Sequence, residues 1–227
     1  MCGRFTHRYT WRELHDLYRA TEPWIGPASN LEPRYNIGPM QRVVALRLQD
    51  GGIHPFMAQW SLISFWPKDG KWKLSTFNAK IERLIERRPG KPGVFDRAWD
   101  KGQRCLVPAN GFYEWPIPKH PRYFTRKDDA PFAFAGLWDT CRKPDGTELV
   151  SITIITCPPN AYMEPYHDRM PVILTPEQFD RWLTCTPSEA AKMCVAYRGD
   201  DLVSWPVDPA VGNVRNEGPD LAEAIQE

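Results

Sequence analysis

Apolar residues dominate Val43 to Leu48 and recur from Ile53 to Trp60, with Asp50-Gly51-Gly52 between the two runs. Two short apolar runs joined by an Asp-Gly-Gly turn predict a β-hairpin. Five later runs also read as strands: Cys105 to Val107, Phe112 to Trp115, Arg122 to Arg126, Pro131 to Trp138 and Glu148 to Cys157. Lys143-Pro144-Asp145-Gly146 is a turn between the last two, and Val203 to Val207 is a final strand before a polar tail. Helical signals are shorter. Thr10 with Glu13 forms a capping box, opening a helix that buries Trp11, Leu14, Leu17 and Tyr18. Asn78 is placed to cap a helix carrying Ile81, Leu84 and Ile85, and another runs from Val94 to Lys101 and stops at Gly102. Thr175-Pro176 starts a helix through Leu183, and a short one follows from Pro187. Residues 21 to 40, punctuated by Pro23, Gly26, Pro27, Pro33, Gly38 and Pro39, read as loop, and an aromatic loop holds Phe65, Trp66 and Trp72. Hairpin-joined strands with helices between them predict an α+β fold with a mostly antiparallel, barrel-like β-sheet and peripheral helices. No repeat, low-complexity run or linker divides the chain, so a single domain over residues 1–227 is expected.

Composition narrows this little. A chain of 227 residues, 42% hydrophobic and 25% charged, suits a soluble globular protein with a full core. No apolar run approaches the roughly 18–20 residues of a membrane span, and the N-terminus lacks a signal-peptide core, so an intracellular location without a membrane partner is expected. The six cysteines contain no CxxC pair, and the histidines stand far from paired cysteines. Reduced thiols and no metal site are therefore expected. The net charge of +1 names no partner, but residues 80–104 carry eight basic side chains against four acidic ones. That segment is either a solvated helix face or a groove that tracks phosphates. The tail from 217 onward is acidic.

Candidate chemistry begins at Met1-Cys2-Gly3-Arg4-Phe5. A small second residue permits removal of the initiator methionine, which leaves Cys2 with an α-amine and a thiol on adjacent carbons. These titrate near about 8 and about 8.5, so each has a reactive fraction at neutral pH. Together they can trap an aldehyde, first as an imine and then as a five-membered thiazolidine. Gly3 lets a substrate approach the backbone, and Arg4 supplies a fixed cation. The alternative is a buried first strand with no chemistry. Glu114, among aromatics in Asn110-Gly111-Phe112-Tyr113-Glu114-Trp115, is either an acid with a pKa raised by burial or an edge-strand carboxylate facing water. His167, in Tyr166-His167-Asp168-Arg169-Met170-Pro171, is either a proton shuttle beside a phosphate contact or a surface histidine. Asn78 either caps a helix or holds the Cys2 terminus. Residues 211–218 resemble a phosphate- or backbone-binding loop but lack the lysine and spacing of a P-loop.

Taken together, these segments resemble the SOS response-associated peptidase (SRAP) family of abasic-site-shielding proteins. The resemblance rests on Met1 to Phe5, Arg34 to Pro39, Phe77 to Lys80 with Glu82, Arg104 to Pro108, Gly111 to Trp115, His167 to Pro171 and Val211 to Gly218, which span nearly the whole chain. It implies that Cys2, freed of Met1, forms a thiazolidine with the ring-opened aldehyde of an abasic site, preferentially in single-stranded DNA. Asn78, Glu114 and His167 would complete the active site, and the same groups would act in an autopeptidase step on the Met1–Cys2 bond. Arg4, Lys80 and Arg169 would contact phosphates, and Phe65 and Trp66 would lie on an aromatic wedge beside the lesion. No cofactor or metal is implied, a monomer is expected, and the location would be the bacterial cytoplasm and nucleoid or a eukaryotic nucleus. Two departures stand out. Lys80 occupies a position where the family has arginine, keeping the charge and losing the bidentate fork. Ser61 and Ser64 replace the usual glycine and proline of the wedge loop.

Two rival readings predict different products. A non-catalytic single-strand reader, stacking bases on tryptophan and holding phosphates with arginine, predicts salt-sensitive binding and no adduct. An N-terminal-nucleophile glutamine amidotransferase, whose chains also open Met-Cys-Gly, predicts ammonia release from glutamine, but leaves Glu114 and His167 without a role.

Overall fold

A computed structural model describes residues 2–20, 31–86 and 90–225. Met1, the expected loop around Pro23, Gly26 and Pro27, and Arg87 and Arg88 of the basic segment lie outside the described residues. The strands are β1 Phe5–His7, β2 Arg34–Ile37, β3 Arg42–Gln49, β4 Gly52–Trp60, β5 Asn78–Lys80, β6 Arg104–Ala109 and β7 Gly111–Ile117. They continue with β8 His120–Arg126, β9 Phe132–Arg142, β10 Glu148–Cys157, β11 Met170–Pro171, β12 Ile173–Leu174 and β13 Leu202–Pro206.

Five of these close on themselves. The predicted hairpin pairs β3 with β4 from Arg42–Gln59 to Gln49–Gly52. β3 then meets β6, β6 pairs with β9, and β9 pairs with β10. The ring shuts where β10 runs parallel to β4, Ser151 beside Gln59 and Ile152 beside Trp60. Closure removes the sheet edges that would otherwise be open to aggregation. Gly136 sits where β9 is flanked on both sides: a Cβ there would lie 2.8 Å from Cys105 Sγ and 3.2 Å from the Thr153 carbonyl. The α+β, barrel-like fold expected from the sequence is the one observed.

A second antiparallel sheet runs in the order β13-β8-β7-β1-β2. It meets the barrel through aromatics: the Phe5 ring is edge-on to Trp60 at 5.1 Å and to Phe134 at 5.7 Å, and Phe112 is edge-on to Phe134 at 6.0 Å. Each such pair adds about 0.5–1.5 kcal/mol to the burial of its rings. This seam fixes β1, and with it the residues just before it.

Local structure departs from expectation at four places. Residues 34–37, inside the expected loop, form β2, because Phe5 and His7 offer that segment an antiparallel partner. Asn78 is a strand residue beside Ile154 of β10 rather than a cap, and the helix Ile81–Ile85 begins without a side-chain cap. The Thr10–Glu13 capping box is present over Trp11–Tyr18, but Leu17 is exposed, as is Ile85 on the later helix. The polar tail docks: Val211 and Leu221 pack with Tyr113, Tyr123 and Val207, and the Glu217 carboxylate accepts from the Tyr35 N–H.

Candidate functional site

Cys2 reaches its position through β1. Phe5 lies opposite Phe112, and the Tyr113 N–H donates to the Arg4 carbonyl at 3.0 Å, so the chain before Phe5 runs along the strand that carries Glu114. Tyr123 secures this pairing: its hydroxyl is 2.7 Å from Thr6 Oγ1, and its ring fills the space a Cβ on Gly111 would need, at 2.3 Å. Cys2 is fully buried in the main core, its thiol directed at the Arg4 carbonyl at 3.7 Å. Glu114 is 3% exposed. Of the two readings of that residue, the buried one holds. Removal from water lifts its carboxyl from the ordinary range to about 7, with the negative charge of Asp168 adding to the effect. Burial and then the Glu114 charge raise the Cys2 thiol well above its usual value, so it stays protonated at neutral pH.

The other two groups come from the barrel. β5 lies parallel to β10 and β11 antiparallel to it, so both reach the same end of one strand. Asn78, on β5, donates from Nδ2 to the Cys2 carbonyl at 2.7 Å. His167, just before β11, has Nε2 3.9 Å from Glu114 Oε2. Its Nδ1 lies 2.7 Å from Asp168 Oδ1 and 2.9 Å from the Arg169 backbone nitrogen. A protonated Nδ1 donates to Asp168, and a bare one accepts from the Arg169 N–H, so both proton states of the ring are provided for. Partial burial lowers the pKa of the imidazole, which makes the neutral ring the resting form at pH 7. Cys2, Asn78, Glu114 and His167, far apart along the chain, thus converge on the seam between the barrel and the second sheet.

The expected phosphate contacts are placed differently from one another. The Lys80 side chain is exposed at the end of β5, two residues from Asn78. Arg4 is half-buried and held by the chain itself: Nη1 donates to Asn36 Oδ1 and to the Val211 carbonyl, both at 2.6 Å, and Nη2 donates to the Gly212 carbonyl at 3.1 Å. Arg169 is buried, bidentate to Glu82 at 2.7 and 2.9 Å, and also donates to the Thr156 carbonyl at 2.7 Å. Phe65 and Trp66 lie on the loop between β4 and β5. Phe65 is exposed, edge-on to Trp72 at 5.2 Å, and the Lys143 ammonium lies 5.7 Å from the Trp66 ring. Of the two loop serines, Ser61 is buried beside Thr76, and the Ser64 carbonyl accepts from Arg97.

The loop at 211–218 binds the protein's own side chains. Its carbonyls at Val211, Gly212, Asn213 and Asn216 accept from Arg4 and Asn36, which is hydrogen bonding in the wrong sense for a phosphate cradle. Two participants have only weak sequence signals. Arg122 stands opposite Glu114 across the β7–β8 hairpin, with its guanidinium over Tyr166. Glu82 is one helical carboxylate among several until its pairing with Arg169 is seen. Among the described residues no group of three or more His, Cys, Asp or Glu side chains is placed to hold a metal ion, and no helix is long and apolar enough to cross a membrane.

The family described as SOS response associated peptidase (SRAP) matches residues 1–214. Abasic site processing protein YoqW of Bacillus subtilis is 33% identical over 99% of this chain and all of its own length. Abasic site processing protein YedK of Escherichia coli is 30% identical over 99% of this chain and 100% of its own. HMCES of Xenopus tropicalis, another abasic site processing protein, is 30% identical over 88% of this chain and 68% of its own. A solved Bordetella bronchiseptica structure superposes with a TM-score of 0.75 at 25% identity, covering 91% of this chain and 100% of that one. A Bacteroides thetaiotaomicron structure reaches 0.80 at 20% identity, with 99% and 100% covered, a likeness of fold.

Proposed function

The chain belongs to the SOS response-associated peptidase family, and on that premise we propose that it processes abasic sites in DNA by trapping them on Cys2. The observation that carries this reading is the meeting of Cys2 with a buried carboxyl that titrates near neutrality. Asn78 holds the Cys2 carbonyl, and His167 stands within 3.9 Å of Glu114.

In this reading the Met1–Cys2 peptide bond is first hydrolysed, with Glu114 taking a proton from the attacking water and returning it to the leaving amine. The freed Cys2 amine then adds to the C1′ aldehyde of the opened abasic sugar. His167 shuttles the proton that opens the sugar ring, using a neutral imidazole backed by Asp168 or the Arg169 N–H. Glu114, protonated below about 7, gives its proton to the hydroxyl that leaves as water, forming the imine. The thiol sulfur adds to the carbon of this protonated imine, its proton returns to the Glu114 carboxylate, the ring nitrogen is left neutral, and one water is lost overall. A thiol held neutral by burial and by Glu114 suits that order, because it releases its proton only when the electrophile is in place. The same carboxyl can protonate the ring for the reverse reaction.

Lys80 is the exposed cation beside the site and serves as the direct phosphate contact. Arg4 contributes its charge while its nitrogens are held by Asn36, Val211 and Gly212; the charge of Arg169 is matched by Glu82, which a phosphate would have to replace. Phe65 supplies an exposed face for a base beside the lesion in a single strand. The product is a covalent DNA–protein crosslink made by a monomer inside the cell. Mixing the protein with an oligonucleotide bearing one abasic site and resolving it on a denaturing gel tests the reading. A heat-stable shifted band is expected for the wild type and none for Cys2→Ala; an equal band from both overturns it.

A further inference from the structure

A cavity of about 530 Å³ lies behind β12, between the start of the Thr175 helix and residues 192–199. Three cations line it, Arg181, Lys192 and Arg198, with Thr175 and Gln178 as polar neighbours and Met193 and Val195 as apolar wall. No carboxylate lines it among the described residues, although the chain carries almost as many acids as bases. Three nearby acids are committed elsewhere, and Asp200, which follows Gly199, is exposed. Asp201 accepts from Arg126 at 2.7 Å and from the Tyr197 hydroxyl at 2.8 Å, and Asp180 pairs with Arg19 at 2.8 Å. Glu189 closes the capping box on Thr186 and feels Arg181 and Lys192 only at longer range. None of the three cations has an ion-pair partner within 4.0 Å among the described residues. The other basic cavity, near Arg8 and Arg126, differs in kind: Arg8 is paired with Asp129 and Arg126 with Asp201, so its charge is cancelled from within.

We infer that the Arg181–Lys192–Arg198 cavity is a second binding site, for a nucleotide phosphate, separate from the Cys2 chemistry. Like charges around one concave wall repel each other and focus a positive field, and a bound phosphate relieves that repulsion. The volume is that of an ordinary small-ligand site. The Met193–Val195 wall gives the nucleoside an apolar surface, while the cations take the phosphate oxygens. The wall is also tied to the first site. Asn160 Nδ2 donates to the Tyr197 carbonyl at 2.9 Å, and the Asn160 turn leads through Met163, whose carbonyl accepts from the His167 N–H at 3.0 Å. The phosphate can belong to a DNA strand held at Cys2 or to a free nucleotide.

The test uses the full chain and a double variant, Arg181→Gln with Arg198→Gln, both exposed positions. Deoxyadenosine monophosphate is titrated and followed by amide shifts, with deoxyadenosine as the uncharged control. Binding is expected to shift the Thr175 and Arg198–Gly199 amides and to be at least about tenfold tighter for the monophosphate. In the double variant it should weaken about a hundredfold, about tenfold for each guanidinium–phosphate hydrogen bond removed. Abasic single strands of increasing length form the second arm. If the strand supplies the phosphate, the double variant weakens binding of long strands and leaves the shortest unaffected; if a free nucleotide does, strands of every length are unaffected and only the monophosphate is lost. Equal binding of monophosphate and nucleoside, or a double variant matching the wild type with every ligand, overturns the site. The monophosphate arm reads this cavity even if no crosslink forms at Cys2.

Discussion

Arg169 grips Glu82 through both terminal nitrogens of its guanidinium, at 2.7 and 2.9 Å, while its own backbone N–H reaches His167 Nδ1 at 2.9 Å. The ion pair thus braces the histidine loop against the helix that follows β5. Glu82→Gln leaves a buried guanidinium short of its counter-charge, at a cost of about 1.5–3 kcal/mol. A lower Tm is expected, together with a slower crosslinking rate at saturating DNA. Unchanged rate with lowered Tm would make the pair structural only.

Glu114 links stability to pH. Its carboxyl is raised by burial from the usual 4.5 to about 7, so between those values the folded chain holds a proton that the unfolded chain has lost. Stability contributed at this position is therefore greatest below about 4.5, falls as pH rises, and levels off above about 7, by about 3 kcal/mol in all. Glu114→Gln removes that slope: relative to wild type, the variant gains stability between pH 5 and 8 in urea melts. Its crosslinking also loses the limb near pH 7. Parallel wild-type and variant melts across this range would contradict the burial of a titrating group.

The Asn78 amide tethers Cys2, donating to its carbonyl at 2.7 Å. Asn78→Ala should cost about 1 kcal/mol of stability. Its effect on crosslinking should be larger, on the order of tenfold or more, because misplacing a reacting group is penalised steeply. Single-turnover rates against melting temperature separate the two. A rate loss no larger than the stability loss would leave Asn78 a packing residue.

Lys80 is exposed at the end of β5, where the proposed function has it meet a phosphate directly. Lys80→Ala should reduce the slope of log affinity against log salt by about one and leave the saturated crosslinking rate intact. Lys80→Arg restores the bidentate fork and should tighten binding. A salt series by fluorescence anisotropy checks both; an unaltered slope in Lys80→Ala removes the phosphate contact.

What the sequence made legible was local. The β3–β4 hairpin announces itself because its two apolar runs and its glycine turn are contiguous in the chain, and the capping box at Thr10 spans a single helical turn. The parallel closure of β10 on β4 and the strand identity of Asn78 are set by partners 76 to 92 positions away, and no periodicity encodes them. Arg4 shows the same limit, since the carbonyl that holds it is 207 residues downstream. The site residues were visible as residue types, but whether Glu114 faced water or core depended on Phe112, two residues earlier on the same face of the strand, packing against the barrel.

A covalent ring at Cys2 is read out by the intact mass of the product formed with an abasic oligonucleotide. The predicted product is the chain less one methionine, plus the oligonucleotide, less one water, with the added mass mapping to the N-terminal peptide. A chain that keeps Met1 yet carries the adduct, or an adduct that maps to any other residue, contradicts it.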